Sequence, residues 1–461
     1  MRSTNPATDE LIAEYKEMTP REVGAALDAC ELAFQRWSAE PLQSRAGPMR
    51  ELGRLMRSEG DRLAALATTE MGKHIREARA EVEKCAWACE YFAENAERFL
   101  ADEVVFTEAS RSRVVFRPLG VILAVMPWNY PYWQVFRFVA PAFMAGNAVL
   151  LKHASNVTGC ALAAEDLARR AGFPEGLLRV LLVSSGAIPG VIAEKRVRGV
   201  TLTGSEAAGS AVATAAGRHV KKAVLELGGS DPYVVLEDAD LELAAKSCVA
   251  GRLVNGGQSC VAAKRFIVVR SVLPELRKRM VDAMAAVRMG DPMDESVGLG
   301  PLARRDLRDE VHSQVARSVE AGADLLLGGK IPPGPGAFYP ATVLGSVLPG
   351  MPSFEEEVFG PVASLISARD ETEAFDLANS SRFGLGGAVF TRDAARGERL
   401  AEERLDAGMV FVNTNVRSDP RLPFGGVKAS GYGRELSDYG IKEFVNIKTV
   451  WIGGRPPVAS A

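Results

Sequence analysis

The chain has 461 residues, roughly three times an average domain of about 150, so two or three domains are expected. With 55 Lys plus Arg against 58 Asp plus Glu, the net charge is −3, which excludes the basic profile of a nucleic-acid binder. Hydrophobic residues at 47% and charged residues at 25% exclude whole-chain disorder, and six cysteines are too few for a disulfide scaffold.

The N-terminal decapeptide MRSTNPATDE carries no apolar signal core. The longest apolar run, near residues 120–127, falls far short of the ~20 residues that a membrane helix needs, so a cytoplasmic protein is expected. The first hundred residues read as helical, with Val23, Leu27, Leu32 and Phe34 marking a helix over 20–40. Further helices are expected at 42–58, at 61–71 before Gly72, and at 75–100. Cys85 and Cys89 lie one turn apart on the last of these, and without a nearby His or third Cys they read as small buried residues.

From there the texture changes. Strands are expected at 112–117, 121–126, 148–152, 178–183 and 199–202, and helices at 132–145, 157–171, from 188, and at 206–218. A second run follows, with PYVVL as a strand, a helix at 241–254, and strands at 265–269, 362–366 and 410–413. Short apolar strands alternating with helices predict α/β architecture with parallel sheets, divided near residues 227–230. The Pro/Gly-rich tract 331–340 reads as an exposed loop.

No phosphate-loop, HExxH, GxGxxG or Cys/His zinc pattern is present. Four local clusters carry chemistry instead. Pro127-Trp128-Asn129-Tyr130-Pro131 follows a strand, where α/β sheets gather ligands, and two prolines stiffen the turn around the Asn129 amide. That amide is either an oxyanion donor or a structural turn residue. Thr203-Gly204-Ser205 opens a helix and suits a phosphate, or serves as a plain N-cap. Glu226, in LELGG, is either a general base raised by burial or a surface carboxylate at a strand end. Cys260 alone among the six cysteines sits in a Gly-rich polar turn, NGGQSC, and is either a reachable nucleophile or, as most single cysteines are, an inert buried thiol. Together the clusters contain the parts of an acyl-enzyme mechanism.

At these residues the chain resembles the aldehyde dehydrogenase superfamily over essentially its whole length. Eight motifs carry the resemblance in order: PWNYP, LLKHAS, TLTGS, LELGG, GGQSC, EEVFGP, PFGGVKASG and GRE. Cys260 follows Glu226 by 34 residues, as the family requires. The segments KHASN, LELGGSDPY and CVAAKRF resemble the bacterial succinate-semialdehyde dehydrogenases, of the NADP-using or dual-cofactor branch. The resemblance implies a Rossmann-type cofactor domain (1–103 and 118–228), an α/β catalytic domain (229–432) and a small β flap (104–117 and 445–454) that pairs subunits into a homodimer or homotetramer.

It also implies roles. Cys260 attacks the aldehyde, Asn129 holds the oxyanion, and Glu226 activates the hydrolytic water. Trp128, Lys152, Ser155, Gly204, Ser205, Leu227, Glu357 and Phe359 bind the dinucleotide. Glu435 matches a residue assigned to proton relay, with a structural ion pair as the equal alternative. Arg137 and Ser437 match residues that grip a distal carboxylate, which implies succinate semialdehyde as substrate. Three positions depart from the family. Ser155 replaces a Glu of NAD-preferring members, so NADP is expected, with NAD possible, because a serine can hydrogen-bond the 2′-phosphate that a carboxylate repels. Phe138 replaces a relay Lys. Val254 replaces a second carboxylate-binding Arg, leaving Arg252, Arg417 and Arg421 as nearby candidates to complete an anion site. The remaining alternatives are another small aldehyde, such as glutarate semialdehyde, and a cofactor-independent cysteine hydrolase. No metal is expected.

Overall fold

The computed structural model describes residues 1–454. A six-stranded sheet has its five parallel strands in the spatial order Lys222–Glu226, Val197–Thr203, Val121–Met126, Ala148–His153, Leu178–Val180. A seven-stranded sheet is built from Pro232–Val235, Arg265–Val269, Val362–Ala368, Gly386–Phe390, Met409–Val412 and the outer pair Asp324–Leu327 and Thr342–Gly345. Inner strands such as Pro232–Val235 and Arg265–Val269 are buried at every position, because helices or loops cover both faces. The chain passes between the sheets at Leu227–Asp231.

Several elements depart from the sequence-based expectation. Residues 1–14 are not helical; Arg2–Thr4 and Leu11–Glu14 form a hairpin. Asn5 and Pro6 turn the chain, with the Asn5 side chain accepting from the Ala7 N–H at 2.9 Å, an arrangement that competes with helix. The tract 331–340 is not exposed throughout. Gly336, Ala337 and Tyr339 are buried, and the hairpin seats on this segment through Ala337 N–H to Pro6 C=O at 2.8 Å. Gly431 and Tyr432, expected in the catalytic domain, add an antiparallel edge strand to the six-stranded sheet beside Leu225 and Glu226.

A separate three-stranded sheet joins Glu103–Val104, Arg111–Pro118 and Val445–Ile452. It leaves Phe106, Ile447, Trp451 and Ile452 exposed. Among the described residues, no helix is long and apolar enough to cross a membrane.

One anchor fixes the frame of the site. The helix Trp133–Ala145 has no side-chain cap of its own. Glu81, from the helix Ile75–Phe99, supplies one by accepting from the Tyr132 and Trp133 N–H groups at 2.8 and 2.9 Å. Glu81 is itself paired with buried Lys73, whose ammonium lies 3.6 Å over the Tyr130 ring. The turn Pro127–Pro131 is therefore clamped from the N-terminal helices as well as by its prolines.

Candidate active site

Cys260 follows a backbone turn that few sequences tolerate. Asn255, Gly256 and Gly257 all have left-handed φ values, of 54°, 62° and 76°. A Cβ at Gly257 would collide with the Gly360 carbonyl, so glycine is required there for space as well as for φ. The Asn255 side chain secures the turn, donating to the Asn129 carbonyl at 2.7 Å and the Gln258 carbonyl at 3.0 Å. Buried Arg252 donates to the Gly257 carbonyl at 2.7 Å. Arg252 thus holds the cysteine turn and is committed away from any substrate.

Two cavities meet at this cysteine. The first, of about 240 Å³, is lined by Trp128, Asn129, Gly204, Ser205, Leu227, Gly228, Glu357 and Phe359 among others. The second, of about 320 Å³, is lined by residues including Lys84, Arg137, Val254, Arg417 and Phe424. Among the described residues, only Cys260 and Gln134 line both. The other five cysteines are buried and face neither. Burial pushes the Cys260 thiol up to about 12, opposed by the positive charges of Arg137 and Lys264. The Asn129 amide donates to the Gln258 carbonyl at 3.0 Å, which leaves its second N–H free.

Glu226 ends the strand Lys222–Glu226, fully enclosed, with neither carboxylate oxygen hydrogen-bonded. Burial raises its pKa well above the carboxylate range, and the neighbouring Glu435 raises it further. Glycine at 425 makes its space, because a Cβ there would lie 2.8 Å from the Glu226 carboxylate. Glu226 lines neither cavity and lies beside Glu435. Glu435 forms a buried ion pair with Arg137, whose guanidinium also donates to Thr203 Oγ1 at 3.2 Å and packs 4.4 Å over the Phe424 ring.

The first cavity fits a dinucleotide. Ser205 caps the helix Glu206–Arg218 by accepting from the Ala208 N–H, so a helix N-terminus opens on the cavity. Glu357 accepts from the Gly229 N–H at 2.9 Å through Oε1, and its Oε2 has no hydrogen bond among the described residues. That oxygen is available to a ribose hydroxyl. A Cβ at Gly228 would collide with the Glu357 carboxylate, so the glycine keeps this cradle open. Trp128 and Phe359 meet edge to face at 5.7 Å on the wall. Lys152 and Ser155 do not line this cavity. They lie at the carboxyl end of the strand Ala148–His153, in register with the strand that leads into Trp128 (Val125 opposite Lys152). Burial lowers the Lys152 pKa, and Ser155 is exposed.

Other expected residues fall elsewhere. Ser437 lines neither cavity; its hydroxyl accepts from the Tyr439 N–H at 3.3 Å. Arg421 is bound to Asp419 and packs against Trp87. Arg417 does reach the second cavity and has no ion-pair partner among the described residues. Sequence reasoning missed Gln134, Lys264 and Lys84. Gln134 precedes Arg137 by three residues on one helix, so the two share a face. Lys264 donates to the Cys260 and Ser259 carbonyls at 2.8 and 3.1 Å and lies 3.5 Å from Glu357.

The chain matches the aldehyde dehydrogenase family over residues 1–450. It is 48% identical to the probable succinate-semialdehyde dehydrogenase, NADP(+), of Synechocystis sp. (strain ATCC 27184 / PCC 6803 / Kazusa), over 97% of this chain and 98% of that one. It is 46% identical to the succinate semialdehyde dehydrogenase, NAD(P)+, of Escherichia coli (strain K12), over 97% of each. A solved structure of succinic semialdehyde dehydrogenase from Streptococcus pyogenes in complex with NADP+ superposes with a TM-score of 0.96 at 36% identity, covering 98% of this chain and 100% of that one. A thiol shared by two cavities, together with full-length similarity at this level, leaves one assignment: the chain belongs to the aldehyde dehydrogenase family.

Proposed function

We propose that the enzyme oxidises succinate semialdehyde to succinate, with NADP+ as the preferred dinucleotide. The observation that carries this reading is the placement of Cys260 on the wall common to both cavities, so that one sulfur serves an aldehyde on one side and a nicotinamide on the other. The thiol gives its proton to solvent in the cavity as its sulfur bonds to the carbonyl carbon, and the carbonyl π pair moves onto oxygen. The second Asn129 N–H and the Cys260 backbone N–H receive the oxyanion. Ser205, Glu357, Trp128 and Phe359 would hold the dinucleotide, which would supply the acceptor for the hydride lost from the sulfur-bound carbon. An acyl group is then left on Cys260 as a thioester. Glu226 takes a proton from the water that attacks it, and the acid leaves as the thiol reforms. Glu435, beside Glu226 and held by its ion pair with Arg137, is the carboxylate that can receive that proton, in place of the family Lys that Phe138 replaces.

The second cavity is cationic in balance, which suits an aldehyde bearing a carboxylate. Arg137 lines it, whereas Ser437 stands apart from it. We assign the adenosine end of the dinucleotide to Lys152 and Ser155, at the carboxyl end of the strand Ala148–His153, because open α/β sheets bind ligands at that edge. The reading keeps a cofactor region on the six-stranded sheet, a catalytic region on the seven-stranded sheet and a flap on the small sheet, with Gly431 and Tyr432 crossing to the six-stranded sheet. The exposed apolar residues of the small sheet support pairing of subunits into a homodimer or homotetramer. Six unpaired cysteines accord with a cytoplasmic enzyme.

A grid of charged and uncharged aldehydes against NADP+ and NAD+, read as reduced nicotinamide, tests the assignment. The highest kcat/KM is expected for succinate semialdehyde with NADP+; equal rates for uncharged aldehydes would overturn the substrate. Ser155→Glu should lower kcat/KM for NADP+ by about 10- to 100-fold and spare NAD+, since it sets a carboxylate against a 2′-phosphate. Steady-state kinetics with both dinucleotides check this.

A further inference from the structure

The second cavity contains three cations, but they are not equally available. Arg137 is neutralised by Glu435. Of the two carboxylates on the wall, Glu81 is paired with Lys73, and burial raises the pKa of Glu77, whose side chain accepts from the Asn255 N–H. Lys84 and Arg417 are what remain. Lys84 projects from the helix Ile75–Phe99, its ammonium 4.4 Å over the Trp133 ring and 2.6 Å from the Ser418 hydroxyl. Both partners are uncharged. Asp419 next to it is taken by Arg421 through two hydrogen bonds of 2.8 and 2.6 Å. A half-buried ammonium without a counter-ion, in a cavity shared with the reacting sulfur, has a vacancy for one carboxylate.

We propose that Lys84 reads the distal carboxylate of the aldehyde, with Arg417 at the same wall, and that Arg137 is a positioning residue holding Glu435. This rests on the substrate reading above and names the group that enforces it. It also accounts for Val254: a cation from the helix Ile75–Phe99 stands in for the arginine lost from the cysteine segment.

The electrostatics agree. Burial lowers the Lys84 pKa to about 8, aided by the like charge of Arg137 and opposed by Cys85, Asp419 and Glu81; Glu77 and Arg417 line the same cavity. In the free enzyme the ammonium is present below about pH 8 and is lost as pH rises through that value. A bound carboxylate favours the ammonium. The alkaline loss therefore falls on kcat/KM for a charged aldehyde and not on kcat.

The test compares wild type, Lys84→Met and Lys84→Arg with succinate semialdehyde and with butanal, across pH. The methionine variant should lower the ratio of kcat/KM for the charged over the uncharged aldehyde by about 10- to 100-fold, the size of one lost charged contact, chiefly through KM. The arginine variant should restore most of it. The alkaline fall specific to the charged aldehyde should vanish in Lys84→Met. A ratio unchanged within about twofold, or an equal loss for both aldehydes, overturns the proposal. A wild type that does not prefer the charged aldehyde overturns the substrate reading itself, which is a different result from a preference that survives in the variant.

Discussion

Cys260→Ala should abolish aldehyde-dependent reduction of the nicotinamide, with kcat falling on the order of 10⁴-fold or more. No other thiol can substitute. Cys30, Cys85, Cys89, Cys160 and Cys248 are buried in the core, and burial raises all five above the usual thiol range. None lines either cavity, and among the described residues the one other group at their junction is the Gln134 amide, which is no nucleophile. The substitution removes one sulfur from a half-buried side chain, so the turn held by Asn255 and Arg252 stays in place. Quenching of protein fluorescence by added dinucleotide should therefore persist. A variant retaining a rate within about tenfold of wild type would be incompatible with a thiol nucleophile.

Glu226→Gln should lower kcat by about 10²- to 10⁴-fold, the range of a lost general base. The loss should fall on the second half of the reaction, so that rapid mixing gives a burst of reduced nicotinamide followed by a stall. The same substitution has a stability consequence with a definite sign. The folded-state pKa of Glu226 is raised, by burial first and by Glu435 second. Its contribution to stability is full below the ordinary carboxylate pKa, and is lost as pH rises toward the folded value. Wild type should therefore lose stability relative to Glu226→Gln between mildly acidic and alkaline pH. Thermal unfolding midpoints measured on both proteins across that window check the sign.

What was legible in the sequence follows physical range. The strand Val121–Met126 and the helix Glu206–Arg218 are each specified locally, one by a continuous apolar run and the other by the Thr-Gly-Ser turn that caps it. The N-terminal hairpin was not legible. Its strands are three and four residues long, and what seats it is a segment more than 300 residues away, through Gly336 N–H to Asp9. Cys260, Asn129, Trp128, Gly204, Ser205, Leu227, Glu357 and Phe359 each lie in a stiff local motif, and they line one cavity, which Lys152 and Ser155 do not. The charge state of the second cavity was not. Arg137 reads as available until Glu435 arrives from the far end of the chain. Lys84 reads as one more polar residue on an amphipathic helix until Ser418, 334 residues on, closes over it. Pairing decides which charge is free, and pairing is set by the fold.

The account depends most directly on an acyl group passing through Cys260. Glu226→Gln protein incubated with succinate semialdehyde and NADP+, quenched in acid and mapped by peptide mass spectrometry, should show the succinyl mass as a thioester on the peptide containing Cys260. Reduced nicotinamide appearing while Cys260 stays unmodified, or an acyl group found on another cysteine, would contradict it.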